Sequence, residues 1–244
     1  MKQQLMTISG NEQVTKTVWR MTLTGEDMEE QRPGQFINIR LAGLFLRRPI
    51  SVCDWEEGRI TLLYKTMGRG TEQLSRMQRG ETLDVLTGLG NGYDLTKAGG
   101  KPLLLGGGVG VPPLYLLAKT LRAQGKEVTA VLGFNTAEEV FGEEEFRALG
   151  CRVTVTTADG SHGVKGFVTD ALPDEYSYFY TCGPEPMLRA VYRATKTSGQ
   201  FSFEERMGCG FGACMGCSCK TITGSKRICR EGPMLEKEEI LWDD

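Results

Sequence analysis

The sequence predicts a β + α/β architecture: an N-terminal antiparallel β-barrel, a doubly wound parallel-sheet domain and a small C-terminal segment rich in cysteine and glycine. Three observations predict it. Short runs of strand character separated by turn residues fill the first hundred positions, strands alternate with helical segments over the next hundred, and five of the eight cysteines fall between positions 209 and 229. The expected boundaries are 1–98, 99–199 and 200–244, since 244 residues accommodate two compact domains and an appendage.

In the first part, 14–24 (VTKTVWRMTLT), 35–41 (QFINIRL) and 59–65 (RITLLYK) read as strands, with Pro33-Gly34 and Gly58 marking turns. That period alone admits a barrel or a sandwich. Glycines at 98–101 (AGGK) then precede a change of period. Residues 102–108 (PLLLGGG) form an apolar strand, 112–124 a helix entered through two prolines, and 127–134 (EVTAVLGF) the next strand. A charged helix over 137–149, strands over 151–157 and 176–181, and a last helix over 184–197 continue the alternation. Such units, joined by right-handed crossovers, make a parallel sheet with its ligand crevice at the carboxyl ends of the strands. From about residue 200 no strong period remains, and a metal centre is expected to supply the structure this tail cannot build from its own core.

Composition narrows the function. The chain has 29 Lys and Arg against 31 Asp and Glu, a net charge of −2, and no run of like charge, so neither a nucleic-acid nor a membrane surface is expected. The opening MKQQLMTISG lacks the apolar stretch of a secretion signal, and no segment approaches the roughly 18 apolar residues of a membrane span. A cytoplasmic location is expected, where cysteines are thiols or metal ligands. The single histidine, His162, excludes two-histidine Rieske and zinc sites and argues against a histidine-based triad. The chemistry is therefore expected to be that of bound cofactors.

Four residues separate Cys209 from Cys214, two separate Cys214 from Cys217, and eleven separate Cys217 from Cys229. This C-x4-C-x2-C…C spacing is the plant-type pattern for a [2Fe-2S] cluster. A loop around a small cluster must turn three thiolates inward within a few residues, and the glycines at 208, 210, 212 and 216 permit it. A four-cysteine zinc knuckle needs two short pairs, and the second is missing. Cys219 falls outside the pattern, and Cys53 and Cys151 read as small buried hydrophobes.

Residues 106–113 (GGGVGVPP) follow a strand and open a helix, the setting in which a dinucleotide pyrophosphate meets backbone N–H groups. Gly106, Gly107, Gly108 and Gly110 allow its approach, although Pro113 stands where the common fingerprint has a third glycine. Cys182, Gly183 and Pro184 end a later strand on the same sheet edge, where a nicotinamide ring can lie. Residues 133–139 (GFNTAEE) offer acidic groups and no Lys or Arg for a 2′-phosphate, which favours NAD over NADP. Asp159 and His162, in the loop 157–163, read equally well as a polar turn or as a ligand contact. In the first domain, RRPIS (47–51) supplies a cation to pair with a pyrophosphate and a hydroxyl to hydrogen-bond a flavin ring. LYKTMGRGT (63–71) runs from a strand into a helix, with Gly70 and Thr71 at a second anion site.

In this order, RRPIS, LYKTMGRGT, GGGVGVPP, CGPEPM and MGCGFGACMGC…C resemble the ferredoxin-NADP reductase superfamily, and within it the electron-transfer subunits of dihydroorotate dehydrogenase B. The resemblance spans essentially the whole chain. It implies a flavin-binding barrel in which Arg48, Pro49, Ile50, Ser51, Leu63, Tyr64, Lys65, Gly70 and Thr71 contact FAD, and a [2Fe-2S] cluster on Cys209, Cys214, Cys217 and Cys229. It also implies an FMN-containing catalytic subunit that oxidises dihydroorotate to orotate in pyrimidine biosynthesis, in a heterotetramer of two of each subunit. Electrons would pass from FMN through the cluster to FAD and on to NAD+. The usual R-x-Y-S flavin motif reads R-P-I-S here, so no tyrosine at that position flanks the flavin. A flavin, stable in one- and two-electron states, belongs between a one-electron cluster and a two-electron nicotinamide. Related subunits of ferredoxin-, sulfide- or glutamate-linked oxidoreductases often carry aspartate as the first cluster ligand, where this chain has Cys209. The reading from another class is a zinc-stabilised, non-enzymatic nucleotide-binding module.

Overall fold

Period-2 alternation produces a closed barrel, not a sandwich. In the computed structural model, which describes residues 1–242, six strands close on themselves: β1 (Lys2–Gln13), β2 (Val18–Thr24), β3 (Phe36–Arg40), β4 (Arg48–Glu56), β5 (Arg59–Lys65) and β6 (Thr82–Leu89). Their order is β1-β2-β5-β4-β3-β6, every pairing antiparallel. Alternate residues fill the interior. Met6, Ile8, Met21, Leu23, Ile37, Ile39, Val52, Ile60 and Leu62 have no exposed surface and pack together there. Helix α1 (Arg69–Arg76) adds its buried Leu74 to the same core. Strands β1, β4 and β6 complete the barrel beside the segments read as strands from sequence. In β4, Pro49 sits in register opposite Asn38 of β3.

The second sheet is built from β7 (Leu103–Gly107), β8 (Thr129–Phe134), β9 (Arg152–Thr157), the short β10 (Val164–Lys165), β11 (Phe179–Cys182) and β12 (Gly199–Ser202), all parallel to their neighbours. Its order runs β10-β9-β8-β7-β11-β12. The chain therefore leaves β7 in one direction and returns on its other side at β11, which opens a crevice at the carboxyl ends of those two strands. One sheet face carries Leu104, Ala130, Leu132 and Tyr180 against α2 (Pro112–Ala123); the other carries Leu103, Leu105, Val131, Phe179 and Phe201 against α4 (Glu185–Ala194). The helix expected over 137–149 is broken. Residues 137–139 form one tight turn, and only α3 (Glu143–Ala148) is helical, because Gly142 takes a left-handed conformation at φ 83°. The strand expected over 176–181 begins at Phe179, and β12 is an additional strand too short to show a period.

The cysteine-rich tail is woven into this sheet. A hairpin of β13 (Ser218–Thr221) and β14 (Gly224–Arg227) leads to β15 (Met234–Glu236), which joins β12 as an antiparallel edge strand. Cys217, Ile228, Cys229 and Leu235 share the α4-side core. The barrel meets the sheet through Lys119 of α2, whose Nζ lies 2.8 Å from an Asp54 carboxylate oxygen, and through Arg20, 2.8 Å from Glu145. Among the described residues no helix is long and apolar enough to cross a membrane.

Candidate functional site

Strand β4 divides the RRPIS motif by its pleat. Ile50 and Val52 pack into the barrel, whereas Pro49 and Ser51 face outward into a cleft of about 140 Å³. The facing wall comes from the end of β12 and the segment that follows it: Ser202, Phe203, Glu204, Glu205 and Met207. Only Met207 belongs to a motif, the start of MGCGFGACMGC, and only the fold brings these residues opposite Ser51. Glu204 lies at the exposed rim, and desolvation by the surrounding protein raises its carboxyl above the usual range. Cys182 at the end of β11 is a neutral thiol, pushed up to about 12 by burial and then by the Glu204 charge.

The two arginines of the motif have different roles. Arg47 is spent on structure: its Nη2 lies 3.0 Å from both carboxylate oxygens of Asp84, and its Nη1 donates to the Asp84 carbonyl at 2.9 Å. Arg48 has no carboxylate partner among the described residues. Its Nη1 donates to the Leu46 carbonyl at 2.6 Å, and its side chain lies so close over Gly70 that a β-carbon there would come 2.3 Å from Nε. The first turn of α1 has no side-chain cap, so Arg48 and the helix's positive end together offer positive potential to an anion. Thr71 closes the preceding turn, accepting from the Met67 N–H at 2.9 Å and donating to the Gly68 carbonyl at 3.2 Å. Along β5 the Tyr64 hydroxyl donates to Asn11 at 3.0 Å and its ring belongs to the barrel core. Leu63 faces a second cleft, of about 290 Å³, between the barrel and the starts of α2 and α3, away from Ser51. Lys65 ends the strand half-buried.

At the sheet crevice the two glycine motifs touch. A β-carbon on Gly110 would come 2.2 Å from the Cys182 carbonyl oxygen and 2.6 Å from the Gly183 nitrogen. One on Gly107 would come 2.4 Å from Met187 Sδ and 3.2 Å from Pro184, and one on Gly106 2.9 Å from Val111. Gly108, at φ 52°, has open space beside it. Pro112 and Pro113 start α2 without N–H groups, so donors for a pyrophosphate must come from the glycine loop itself. At the end of β8, Glu139 accepts from the Asn135 backbone and side-chain N–H groups at 3.3 and 2.8 Å. Asp159 holds Ser161, and His162 Nε2 lies 2.8 Å from Glu143, so both residues of that loop serve local turns and α3.

The cysteines fall into two pairs. The Cys209 N–H points at Cys214 Sγ (3.4 Å), the Ala213 and Cys214 N–H groups point at Cys209 Sγ (3.2 and 3.4 Å), and the Cys229 N–H points at Cys217 Sγ (3.5 Å). Burial raises the Cys209 thiol, but N–H donors from Phe211, Cys214 and Ala213 outweigh it and bring it down to about 6. Burial, and then the Cys217 side chain, push Cys229 up to about 12. Among the described residues no group of three or more His, Cys, Asp or Glu side chains could hold one metal ion. Two cysteine pairs instead suit a two-iron cluster, which would take two sulfurs on each iron, with N–H groups in place to hydrogen-bond the ligand sulfurs. Cys219 lies on β13 opposite Lys226, outside both pairs.

The family described as "Iron-sulfur cluster binding domain of dihydroorotate dehydrogenase B" matches residues 204–241, and "Oxidoreductase NAD-binding domain" matches residues 104–193. The electron transfer subunit of dihydroorotate dehydrogenase B (NAD(+)) from Bacillus caldolyticus is 44% identical over 97% of both chains. That of Geobacillus sp. strain WCH70 is 43% identical over 99% of both. Among solved structures, a chain of the NADH-dependent reduced ferredoxin-NADP oxidoreductase, studied for flavin-based electron bifurcation, aligns with a TM-score of 0.89 and 32% identity, over 98% of this chain and 90% of that one. At that identity and coverage, this chain belongs to the family of the electron transfer subunits of NAD(+)-dependent dihydroorotate dehydrogenase B.

Proposed function

We propose that this chain carries electrons between a catalytic partner subunit and NAD+, as an oxidoreductase subunit holding FAD and one [2Fe-2S] cluster. The observation that carries this reading is a shared wall. The outer face of β3 and β4 presents Pro49 and Ser51, and the segment leading to Cys209 lines the other side of the same cleft. When bound, the cluster supplies one-electron transfer, the flavin converts between one- and two-electron steps, and the nicotinamide takes a hydride.

Each module has a definite task. Residues 1–98 hold the flavin: Arg48, with Gly70 beneath it, pairs with the pyrophosphate, Ser51 hydrogen-bonds the ring, and Pro49, Ile50, Leu63, Tyr64, Lys65 and Thr71 shape the surrounding strands and turn. Residues 99–199 hold the nicotinamide dinucleotide between Gly106, Gly107, Gly108 and Gly110 on one side and Cys182, Gly183 and Pro184 on the other. Residues 200–244 hold the cluster, Cys209 and Cys214 on one iron and Cys217 and Cys229 on the other. The partner is an FMN-containing subunit that oxidises dihydroorotate to orotate, in an assembly of two of each subunit. Cys209, where ferredoxin-linked relatives often carry aspartate, supports the dihydroorotate system.

The test is co-purification from the native cell, followed by assay of the complex. Orotate and NADH formed in equal amounts, with FAD, FMN, iron and sulfide present, are expected. A complex that holds flavin and iron-sulfur but does not oxidise dihydroorotate would refute the substrate while leaving the cofactors in place. A colourless protein without acid-labile sulfide would remove the cofactor reading and leave the zinc-stabilised module.

A further inference from the structure

Asn38 is a polar side chain only 1% exposed, on β3 directly opposite Pro49 of β4. Directly opposed residues share a sheet face, so Asn38 lies on the wall that presents Pro49 and Ser51. Its Nδ2 donates to the carbonyl oxygen of Cys209 at 3.2 Å. Its Oδ1 is buried and without a hydrogen-bond partner among the described residues. An apolar residue would avoid leaving a buried oxygen unpaired, so an amide here stands out against ordinary barrel packing. The surroundings hold the contact from both sides. Gly210 brings its backbone onto the amide, where a β-carbon would come 2.3 Å from Nδ2. Arg47, paired with Asp84, donates to the Asn38 backbone carbonyl at 3.4 Å.

We infer that Asn38 is a positioning residue for electron transfer. Its amide ties the peptide of the first thiolate ligand to the flavin-bearing wall, and so sets the separation of the two redox sites and the potential of the cluster. Partners just outside a metal's own ligands orient those ligands and tune its potential, and the amide's positive end faces the ligand loop. This rests on the reading that Cys209 binds the cluster and that the Ser51 cleft holds the flavin.

The experiment uses Asn38→Asp, nearly the same shape with the donor replaced by an acceptor, and Asn38→Leu, both in the native complex. Iron, sulfide and FAD are counted first. An unmutated complex without iron and sulfide overturns the cofactor reading itself, separately from Asn38. With both cofactors retained, the cluster potential is expected to shift, downward in Asn38→Asp, and bleaching of the cluster after NADH reduces the flavin is expected to slow about tenfold. A change in either quantity supports the inference, as does selective loss of the cluster with FAD and melting temperature unchanged. Unchanged potential and bleaching rate in both variants, or joint loss of FAD and cluster as the barrel melts, overturns it and leaves Asn38 as a packing residue.

Discussion

Arg48 packs directly on Gly70: a β-carbon built there would stand 2.3 Å from Arg48 Nε and 3.0 Å from its Cδ. The guanidinium thus lies across the first turn of α1, where its charge adds to the positive end of the helix. Arg48→Ala is expected to weaken FAD by about 1.5–3 kcal/mol, the size of a lost charged hydrogen bond. Gly70→Ala should act in the same direction while keeping the charge, because the guanidinium must move aside. Arg47→Ala should leave FAD bound and lower the melting temperature, since Arg47 holds Asp84. Flavin retained through gel filtration measures all three; full occupancy in the first two variants rules out that role for Arg48.

The paired sulfurs predict a selective loss. Cys214→Ser should remove cluster absorbance, iron and sulfide while FAD stays, because Cys214 shares close contacts with Cys209. Cys219→Ser should keep the cluster, since Cys219 lies on β13 outside both pairs. A normal cluster spectrum in Cys214→Ser, or a lost one in Cys219→Ser, would mean that the ligands are wrongly assigned.

Gly110 touches backbone that cannot yield easily. Its β-carbon would meet the Cys182 carbonyl at 2.2 Å, so Gly110→Ala must spread the two loops of the sheet crevice. A displacement of about 1 Å at a reacting centre can cost on the order of a hundredfold in rate. Flavin reduction by NADH should fall by at least tenfold on this basis, while FAD and cluster content remain. Stopped-flow reduction at the unmutated rate would show that the crevice does not hold the nicotinamide.

Glu143 links stability to acid pH. Burial pushes its carboxyl up, but hydrogen bonds from Arg147 and His162 outweigh this and hold it below its ordinary value of 4.5. A carboxyl lowered in the folded state stabilises fully above its unfolded value and loses that contribution as pH falls through the folded one. With side chains part-exposed on the basic partners, the effect is about 0.5–1 kcal/mol. The unmutated chain should therefore melt above Glu143→Gln at about pH 6, with the gap narrowing as pH falls below the ordinary carboxyl value of 4.5. Melting curves that stay parallel across this range would contradict it.

The motifs that nominate the site could be read from sequence because they are local. The cysteine spacing, the glycine loop before a helix and the RRPIS strand each place their chemistry within a few residues, where turn and loop geometry depend on neighbours in sequence. Strands β1 and β6 were harder to read, since polar residues on the outer face dilute the alternation that marks a strand. The helix expected over 137–149 failed at Gly142, where a glycine's left-handed backbone outweighed the charged helical pattern around it.

By itself, the sequence determined the order of the modules, the cofactor chemistry each suits and the spacing that singles out Cys209, Cys214, Cys217 and Cys229 as candidate ligands. Only the tertiary structure decided that Arg47 is tied to Asp84 while Arg48 covers Gly70, that Phe203, Glu204, Glu205 and Met207 face Ser51, that β15 completes the sheet, and that Asn38 reaches Cys209. The physical reason is that motifs record short-range backbone needs, whereas strand register and sheet order decide which distant side chains share a face, and no local pattern carries that information.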